Sequence, residues 1–323
     1  MYDIITIGSA TRDVFLGSDK FVAIKSRKFS TGIGECMTLG SKIEIHEILL
    51  TTGGGGTNTA ATFGSLGFRT AVMTRVGNDS PGKDVIENLS HFGVSSHLVR
   101  MVKGGQTAYS TLLTMEGGER TALVYRGVSA EFTQSDISLK ALETTKWLYL
   151  TSLGGNIVLA KKIISYAKKM NVSVAWNPGS SELEAGLSSI LPLVQMVDVL
   201  NINREEAQLL TQKKKLEEMF EILHTDGMVR VITDGRNGAT VYRDRWTAHA
   251  FTKNIDAVSR TGAGDAFGSG FVAGFMKTQD LCEALRIGTL NAESVIQQYG
   301  AKKGILSKWP SEKQRKRVYI TQS

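Results

Sequence analysis

The second half of the sequence alternates helical patterns with short runs that read as buried strands. Val172–Trp176, Val197–Asn201 and Val229–Thr233 are such runs, and Ile157–Met170 has apolar residues at helical spacing on one face. Strands and helices that alternate along a chain pack as a mostly parallel sheet flanked by helices. The pattern therefore predicts an α/β fold, and a chain of 323 residues fits a single domain over residues 1–323.

Two other stretches have the pattern of half-exposed strands. Lys42–Ile48 alternates polar and apolar residues, and Ala108–Met115 and Arg120–Tyr125 flank Glu-Gly-Gly-Glu, which is a hairpin signal. Antiparallel strands with one solvated face, in a protein with a parallel sheet, indicate a small separate sheet. We expect residues 14–50 and 101–127 to form a small β-sheet lid inserted in the domain.

The net charge of +7 is the main compositional bias. Much of the excess lies between Lys302 and Arg317, where no pattern of interleaved aromatic and basic residues accompanies it. We expect a solvated C-terminal surface and no nucleic-acid partner.

Cys36 and Cys282 lack CxxC spacing, which argues against a zinc site. The N-terminus lacks a signal-peptide pattern and no apolar run approaches the ~18 residues of a membrane span, so we expect a cytoplasmic protein without membrane contact.

The segment Arg260–Phe271 has the composition of an anion-binding loop that opens a helix. Gly262 and Gly264 allow backbone N–H groups to point together at the helix mouth, where the helix dipole also attracts anions. Asp265 falls in the first turn, and an ionised carboxylate beside an anion pocket can deprotonate an attacking hydroxyl. The alternative is a helix cap, in which Asp265 only accepts bonds from unpaired N–H groups. A dinucleotide fingerprint does not fit, because it should follow the first strand of a βαβ unit.

A second glycine-rich segment runs from Gly53 to Ala61 and leads into a helix that ends near Gly67. Four consecutive glycines allow the backbone to approach a ligand closely, and Asn58 offers both a donor and an acceptor to hydroxyl groups. The alternative is a flexible hinge with Asn58 at a helix cap. Asp13, which follows the first strand, could accept hydrogen bonds from a polyol, or it could be a surface carboxylate.

These segments resemble the two signatures of the ribokinase, or PfkB-type, family of carbohydrate kinases. The matching positions are Gly53-Gly54-x-x-x-Asn58-x-Ala60, Leu66-Gly67, Val76-Gly77-x-Asp79, Gly82 and Thr261–Phe267. The resemblance runs from Ile7-Gly8 to Gly300-Ala301, which is nearly the whole chain. It implies a ribokinase-like α/β fold with a small β lid. It also implies an ATP-dependent kinase that phosphorylates a hydroxyl of a sugar or a sugar-like small molecule.

The resemblance further implies roles for individual residues. In catalysis these are Asp265 as the general base and Gly262, Ala263 and Gly264 as the anion hole for phosphate. In sugar binding they are Asp13, Gly53, Gly54 and Asn58. At the nucleotide they are Asn203, Thr233, Gly235, Gly238 and Asn291, the last in the helix that should border the adenine.

ATP and Mg²⁺ are the cofactors that the resemblance implies. The run Asn203-Arg204-Glu205-Glu206 is similar to the family's Asn-x-x-Glu element. This similarity places Glu206 near the magnesium ion, with a water molecule between them. The alternative for Glu206 is a solvated acid at the start of a helix.

Three departures from the family pattern leave the substrate open among sugars, sugar acids and nucleosides. Leu150–Gly155 lacks the Glu that contacts ribose in ribokinases, whereas Trp176-Asn177-Pro178-Gly179 resembles the ribokinase turn. Tyr125-Arg126 resembles a pair at the lid edge of ketodeoxygluconate kinases, so Arg126 is a candidate contact for an anionic group of the substrate. The alternative is a surface arginine at a strand end. An adenosine-like nucleoside kinase and a non-catalytic sensor on the same fold are the competing functions.

Two further expectations concern assembly and monovalent ions. Exposed strand edges in the lid favour a homodimer that pairs through the lid.

Many family members hold potassium with an Asp two residues before the Thr-Gly of the second signature, but here that position is Ser259. Arg260 adds a fixed positive charge beside the site, so we expect weak or absent potassium activation.

Overall fold

The computed structural model describes residues 1–29, 31–115, 120–253 and 255–323. In chain order its strands are β1 (Tyr2–Ile7), β2 (Thr11–Gly17), β3 (Val22–Lys25), β4 (Ile33–Cys36), β5 (Glu47–Gly53), β6 (Thr70–Gly77), β7 (Val94–Ser95), β8 (Val99–Val102), β9 (Ala108–Thr114), β10 (Arg120–Tyr125), β11 (Thr145–Leu150), β12 (Ser173–Trp176), β13 (Val199–Asn203), β14 (Val229–Thr233), β15 (Ala239–Arg243), β16 (Trp246–Ala250) and β17 (Ile320–Gln322). Its α-helices are α1 (Gly55–Ser65), α2 (Ser80–His91), α3 (Leu139–Leu142), α4 (Ile157–Lys169), α5 (Ser180–Leu183), α6 (Leu187–Val194), α7 (Arg204–Thr211), α8 (Leu216–Ile222), α9 (Ala263–Thr278), α10 (Leu281–Val295) and α11 (Glu312–Arg315).

The main sheet has the order β17-β16-β15-β14-β13-β12-β11-β1-β6-β7, and β8 also pairs with β6. The strands from β7 to β14 are parallel, and β15, β16 and β17 continue the sheet in antiparallel pairs. The predicted, mostly parallel sheet is therefore confirmed. Because parallel strands end at one edge, the loops after β1, β11, β12, β13 and β14 meet there.

Helices cover both faces of the main sheet, and each face buries its own apolar core. On one face Ile163 and Ile164 of α4 pack in a cluster with Leu148 of the central strand β11. On the other face Phe271 of α9 lies in a cluster with Val231 of β14. Strands buried on both faces explain why the sequence shows apolar runs rather than strict alternation. No helix among the described residues combines the length and the apolar character that a membrane span needs.

A second sheet has four strands in the order β10-β9-β2-β5. The pairs β2–β5 and β9–β10 are antiparallel, whereas β2 and β9 are parallel. The hairpin predicted on the two sides of the Glu-Gly-Gly-Glu sequence is confirmed by the pairing of β9 with β10. The turn itself, residues 116–119, lies outside the described residues. A separate two-stranded sheet, β3–β4, lies between β2 and β5 in the chain.

The half-exposed strand predicted at Lys42–Ile48 is wrong, because the strand is β5, Glu47–Gly53. Before it, the backbone carbonyl of Glu44 accepts a hydrogen bond from the Ser18 side chain, and ladder pairing starts only where Glu47 meets Gly17. The strands of the second sheet begin at Thr11, before the predicted lid segments. They also continue past residue 50 to Gly53. These extra residues carry the sheet to the edge where the loops of the main sheet meet.

Candidate active site

The loop before α9 makes an open, N–H-lined mouth at the edge of the main sheet. Gly262 precedes the helix with φ of 78°, a left-handed conformation that favours glycine. A side chain at Gly262 would clash with Ala301, whereas a side chain at Gly264 would point into open space. The first-turn N–H groups of a helix lack intrahelical acceptors, so they are available to an anion in that space.

Asp265 lies in the first turn of α9 and is joined to the other glycine-rich segment. Asn58 donates from Nδ2 to Oδ2 of Asp265 at 2.8 Å, although the two residues are 207 positions apart in the chain. Asn58 is buried in the first turns of α1, which begins right after β5. The structure therefore brings the two predicted signatures into direct contact.

The Gly53–Gly54 pair is tightly packed. Gly54 precedes α1 with φ of 95°, and a side chain there would overlap the carbonyl of Ser9. A side chain at Gly53 would overlap a carboxylate oxygen of Asp13. The two glycines thus let β5 and the start of α1 close around Asp13, which is the opposite of a flexible hinge.

Asp13 is a buried acid on β2, with 5% of its surface exposed. It accepts a hydrogen bond from Oγ1 of Thr11 at 2.8 Å. Burial raises the pKa of Asp13, while the Thr11 hydroxyl and the charge of Lys302 oppose the rise. The alternative of a surface carboxylate does not match this burial.

Lys302 is a residue of this site that sequence reasoning missed, because it was assigned to a solvated basic tail. Only 3% of its surface is exposed, and its Nζ donates to Oγ1 of Thr52 at 2.8 Å. Burial lowers the pKa of Lys302 to about 7, against the opposing charges of Asp13 and Asp265. Nothing in the local sequence marks this lysine, because its bonding partner, Thr52, lies 250 positions away in the chain.

The ionisation of Asp265 depends on three neighbours and on burial. Burial raises its pKa most strongly, and the negative charge of Asp13 adds to this rise. The Asn58 hydrogen bond and the positive charge of Lys302 lower the pKa. A carboxylate with a raised pKa is a stronger proton acceptor than an ordinary surface Asp, which suits a general base.

A cavity of about 200 Å³ lies beside Asp265 and is lined by amide and carboxylate side chains. Asn203 and Glu206 bind each other as a capping box at the start of α7. Glu206 is a half-buried acid at the start of this helix, and burial raises its pKa. Buried Oδ1 of Asn201 has no hydrogen-bond partner within the described part of the chain.

A larger cavity of about 340 Å³ adjoins the α9 mouth on the other side. Of the residues predicted at the nucleotide, Thr233, Gly235 and Gly238 line it, and Asn203 lines the smaller cavity. Three basic residues that were not singled out for this site also line it, namely Arg236, Lys253 and Arg260.

Asn291 does not line either cavity, in contrast to its predicted place beside the adenine. It is fully buried, donates to the carbonyl of Ala266 at 2.7 Å and accepts from the N–H of Leu306 at 2.8 Å. The side chain thus ties α10 to α9, and the α10 residues on the cavity are Thr289, Ala292 and Glu293. Arg126 is exposed after the end of β10 and also lines neither cavity.

The loop after the central strand β11 lacks an acid of its own, but Glu182 of α5 reaches it. Glu182 is 1% exposed and accepts hydrogen bonds from the N–H groups of Leu153 and Gly155 and from the hydroxyl of Ser152. It also accepts from the N–H of Gly179. These bonds hold the loops after β11 and β12 together at the edge of the site.

Comparisons with known proteins show which family the chain resembles. The family model described as pfkB family carbohydrate kinase matches residues 3–308. A ribokinase of Haemophilus influenzae is 27% identical over 308 residues, which cover 90% of this chain and 94% of the relative. A cytidine kinase of Thermococcus kodakarensis is 27% identical over 77% of this chain and 88% of its own length.

Solved structures share the fold over nearly the whole chain. An adenosine kinase from Sinorhizobium meliloti superposes with a TM-score of 0.78, at 24% identity, over 95% of this chain and 97% of its own. A ribokinase of Arabidopsis thaliana, solved with ribose and ATP, superposes with a TM-score of 0.76 at 19% identity. That alignment covers 98% of each chain. The ribokinase-like fold predicted from the two signatures is confirmed.

Proposed function

The chain belongs to the pfkB family of carbohydrate kinases, and we propose that it transfers the γ-phosphate of ATP to a hydroxyl of a sugar or nucleoside with Asp265 as the general base. Kinases of this family are ATP-dependent phosphotransferases that act on alcohol groups, and this chain is one of them. The observation that carries the assignment of Asp265 is its hydrogen bond to Asn58. It joins the proposed base to a residue proposed to bind the acceptor.

In the proposed reaction Asp265 accepts the proton of the acceptor hydroxyl as the hydroxyl oxygen attacks the γ-phosphorus of ATP. The bond from that phosphorus to the β–γ bridging oxygen breaks, and ADP leaves. The N–H groups of the 262–264 loop and of the first turn of α9 hold the oxygens of the transferred phosphate. Phosphoryl transfer needs little covalent help, so positioning and charge stabilisation supply most of the rate. A general base adds ~10²–10⁴-fold. The open space beside Gly264 supports this proposal, because a phosphate can approach the backbone there.

The residues around the smaller cavity fit a magnesium ion that keeps part of its water shell. Glu206 and the amide oxygens of Asn201 and Asn203 are hard oxygen ligands, and the unpaired Oδ1 of Asn201 supports a polar occupant. No group of three or more acidic, His or Cys side chains is placed to enclose a metal among the described residues. That agrees with an ion held by one or two carboxylates, water and substrate phosphates. When bound, Mg²⁺ would neutralise phosphate charge.

We assign the nucleotide to the larger cavity. Thr233, Gly235 and Gly238 line it, and it opens onto the α9 mouth. The basic side chains of Arg236, Lys253 and Arg260 suit the phosphates of ATP, while Ile255 and Phe267 offer apolar surface to the base. Asn291 then acts indirectly, by fixing α10 behind this cavity.

We place the acceptor between the second sheet and α9, with the second sheet as a lid. Asn58 bonds to Asp265 beside this space, and the charge of Lys302 acts on both Asp13 and Asp265. Named relatives include a ribokinase, a cytidine kinase and an ATP-dependent 6-phosphofructokinase, so ribose, cytidine and fructose 6-phosphate are the first candidates. A structural neighbour named adenosine kinase adds adenosine. A lid that excludes water protects ATP from hydrolysis.

The proposed function predicts ATP-dependent phosphorylation of at least one of ribose, fructose 6-phosphate, cytidine and adenosine. Asp265→Asn should lower kcat by ~10²-fold or more, because the amide cannot take the proton, and should leave ATP binding intact. Coupled ADP release measures turnover, and calorimetry measures nucleotide binding. Asp226→Asn, at a fully exposed side chain, is the matched control. ATP binding without turnover on any acceptor would instead support the non-catalytic sensor.

We further propose a homodimer through the lid. The strand register places Ile48, Leu50, Tyr109, Leu123 and Tyr125 on the sheet face opposite Asp13, and all five are exposed. An exposed apolar sheet face of this kind is typical of an interface. Light scattering should give the mass of a dimer, and the double variant Leu50→Glu/Leu123→Glu should give a monomer. Val158→Glu on α4 is the control, and a monomeric wild type at micromolar concentration contradicts the proposal.

The site also predicts that potassium does not activate the enzyme. Ser259 is buried and its Oγ accepts from the N–H of Thr261, while Arg260 places a fixed positive charge on the cavity wall. A neutral hydroxyl is a weak ligand for a hard cation, and two neighbouring cations repel each other. Replacing tetramethylammonium by potassium at constant ionic strength should leave kcat unchanged. A several-fold rise in kcat would show a functional potassium site.

A further inference from the structure

The segment that carries Lys302 lies between the lid and the anion-binding loop. A side chain at Gly262 would meet Ala301, and a side chain at Gly300 would meet Thr51 of β5. Lys302 follows directly, and its Nζ reaches Oγ1 of Thr52 on the same strand. The ammonium is therefore buried where the proposed acceptor space meets the proposed base.

The hydrogen-bonding capacity of this ammonium is mostly unused. An ammonium has three N–H donors, and its bond to Thr52 is the only one that it makes among the described residues. The Thr52 hydroxyl donates its own proton to Oδ1 of Asn88 at 2.7 Å, so it can only accept a hydrogen bond from Lys302. A buried donor without an acceptor is costly, which points to an absent partner.

The charges around Lys302 indicate what that partner is. The carboxylates of Asp13 and Asp265 both act on its charge, but neither forms an ion pair with it within the described part of the chain. Two carboxyl groups and one amine leave the cluster with an excess of acidic groups. A carboxylate or phosphate of a substrate would increase that excess, and like charges repel strongly where water is excluded. A hydroxyl group can instead accept from the ammonium and donate to a carboxylate.

We propose that Lys302 is a specificity-determining residue of the acceptor subsite, where its ammonium donates to a neutral hydroxyl of the acceptor and that hydroxyl donates to Asp13. This hydroxyl is a second one, distinct from the hydroxyl that Asp265 deprotonates. The inference rests on the proposed function, because it requires the acceptor to lie between the lid and α9. It defines the acceptor class as a diol or polyol that presents its neutral hydroxyls to this cluster.

Lys302 could also serve only as a tie between the 300–304 segment and β5, and the two roles differ in their effects. If Lys302 only links the two segments, its loss should shift the lid and weaken the binding of all acceptors alike. Removing the Thr52 hydroxyl should then have the same effect. A hydroxyl contact acts on one group of the acceptor, so its loss removes discrimination against the matching deoxy analogue. A site that hydrogen-bonds a substrate hydroxyl strongly rejects the analogue that lacks it, because its polar groups are left unpaired.

The experiment compares ribose, cytidine and adenosine with their 2-deoxy and 3-deoxy analogues on four proteins. These are the wild type, Lys302→Met, Thr52→Val and Lys303→Met, the last at an exposed neighbour. For the wild type we expect kcat/KM to fall about 10–100-fold when one hydroxyl of the best acceptor is removed. This fall is the deoxy penalty at that hydroxyl. Lys302→Met should have a raised KM for that acceptor and an unchanged KM for ATP, and its penalty at this hydroxyl should nearly vanish. Lys303→Met and Thr52→Val should keep the penalty.

A full deoxy penalty in Lys302→Met, or an equal loss of discrimination in Thr52→Val, would overturn the inference. If Lys302→Met does not fold, the pH dependence of the wild type provides the same test. Burial lowers the pKa of Lys302 to about 7, so the ammonium is charged below that pH and neutral above it. The groups that face it are the carboxyl groups of Asp13 and Asp265, and burial raises the pKa of each. The penalty should shrink as pH rises from 6 to 9, and a constant penalty contradicts the inference.

Failure of the proposed function gives a different result. If no acceptor is phosphorylated, calorimetry with a non-hydrolysable ATP analogue still measures binding of each acceptor and its deoxy analogues to the same four proteins. Discrimination that depends on Lys302 in binding alone supports the subsite and refutes the catalytic assignment. A wild type that binds none of these polyols overturns both.

Discussion

The hydrogen bond between Asn58 and Asp265 is the contact on which the rest of the site depends. It connects the first turns of α1 and α9, and these helices begin at the two glycine-rich loops. Each loop can close only because its glycines carry no side chain, since an added Cβ would overlap Asp13 at Gly53 and Ala301 at Gly262. Strand β5 of the second sheet, the edge of the main sheet and the 300–304 segment therefore converge on one carboxylate.

In the site three acidic side chains, Asp13, Glu206 and Asp265, outnumber the one lysine, Lys302. Asp13, Glu206 and Asp265 all have pKa values raised by burial, and Lys302 has a pKa lowered by burial. Such opposed shifts are common where acid–base chemistry is carried out, because the protein holds groups in ionisation states that water would disfavour. The same excess disfavours an anionic group of the acceptor beside Lys302 and favours a cation near Glu206. On this account the charge distribution separates the proposed polyol subsite from the proposed metal and phosphate subsite.

Features encoded in a short stretch of sequence were predictable, and features that depend on tertiary contacts were not. The glycine loops, Asp265 and the alternation of strands and helices each follow from local rules, and the fold that they predict is confirmed.

The strand at Lys42–Ile48 was misplaced, because pairing with β2 sets its start at Glu47. Lys302 resembled a solvated tail residue, because its hydrogen bond to Thr52 joins positions 250 residues apart in the chain. Asn291 was assigned to the nucleotide, whereas the packing of α9 against α10 turns it inward. The roles of the individual site residues remain predictions.

The account's central claim is that one acceptor hydroxyl lies between Asp265 and the transferred phosphate. The most direct measurement is a crystal structure of the chain with a non-hydrolysable ATP analogue and the acceptor that it phosphorylates best. The account predicts the γ-phosphate at the N–H groups of the 262–264 loop and an acceptor hydroxyl within hydrogen-bond distance of Asp265. A nucleotide bound away from this loop, or an acceptor that presents no hydroxyl to Asp265, would contradict it.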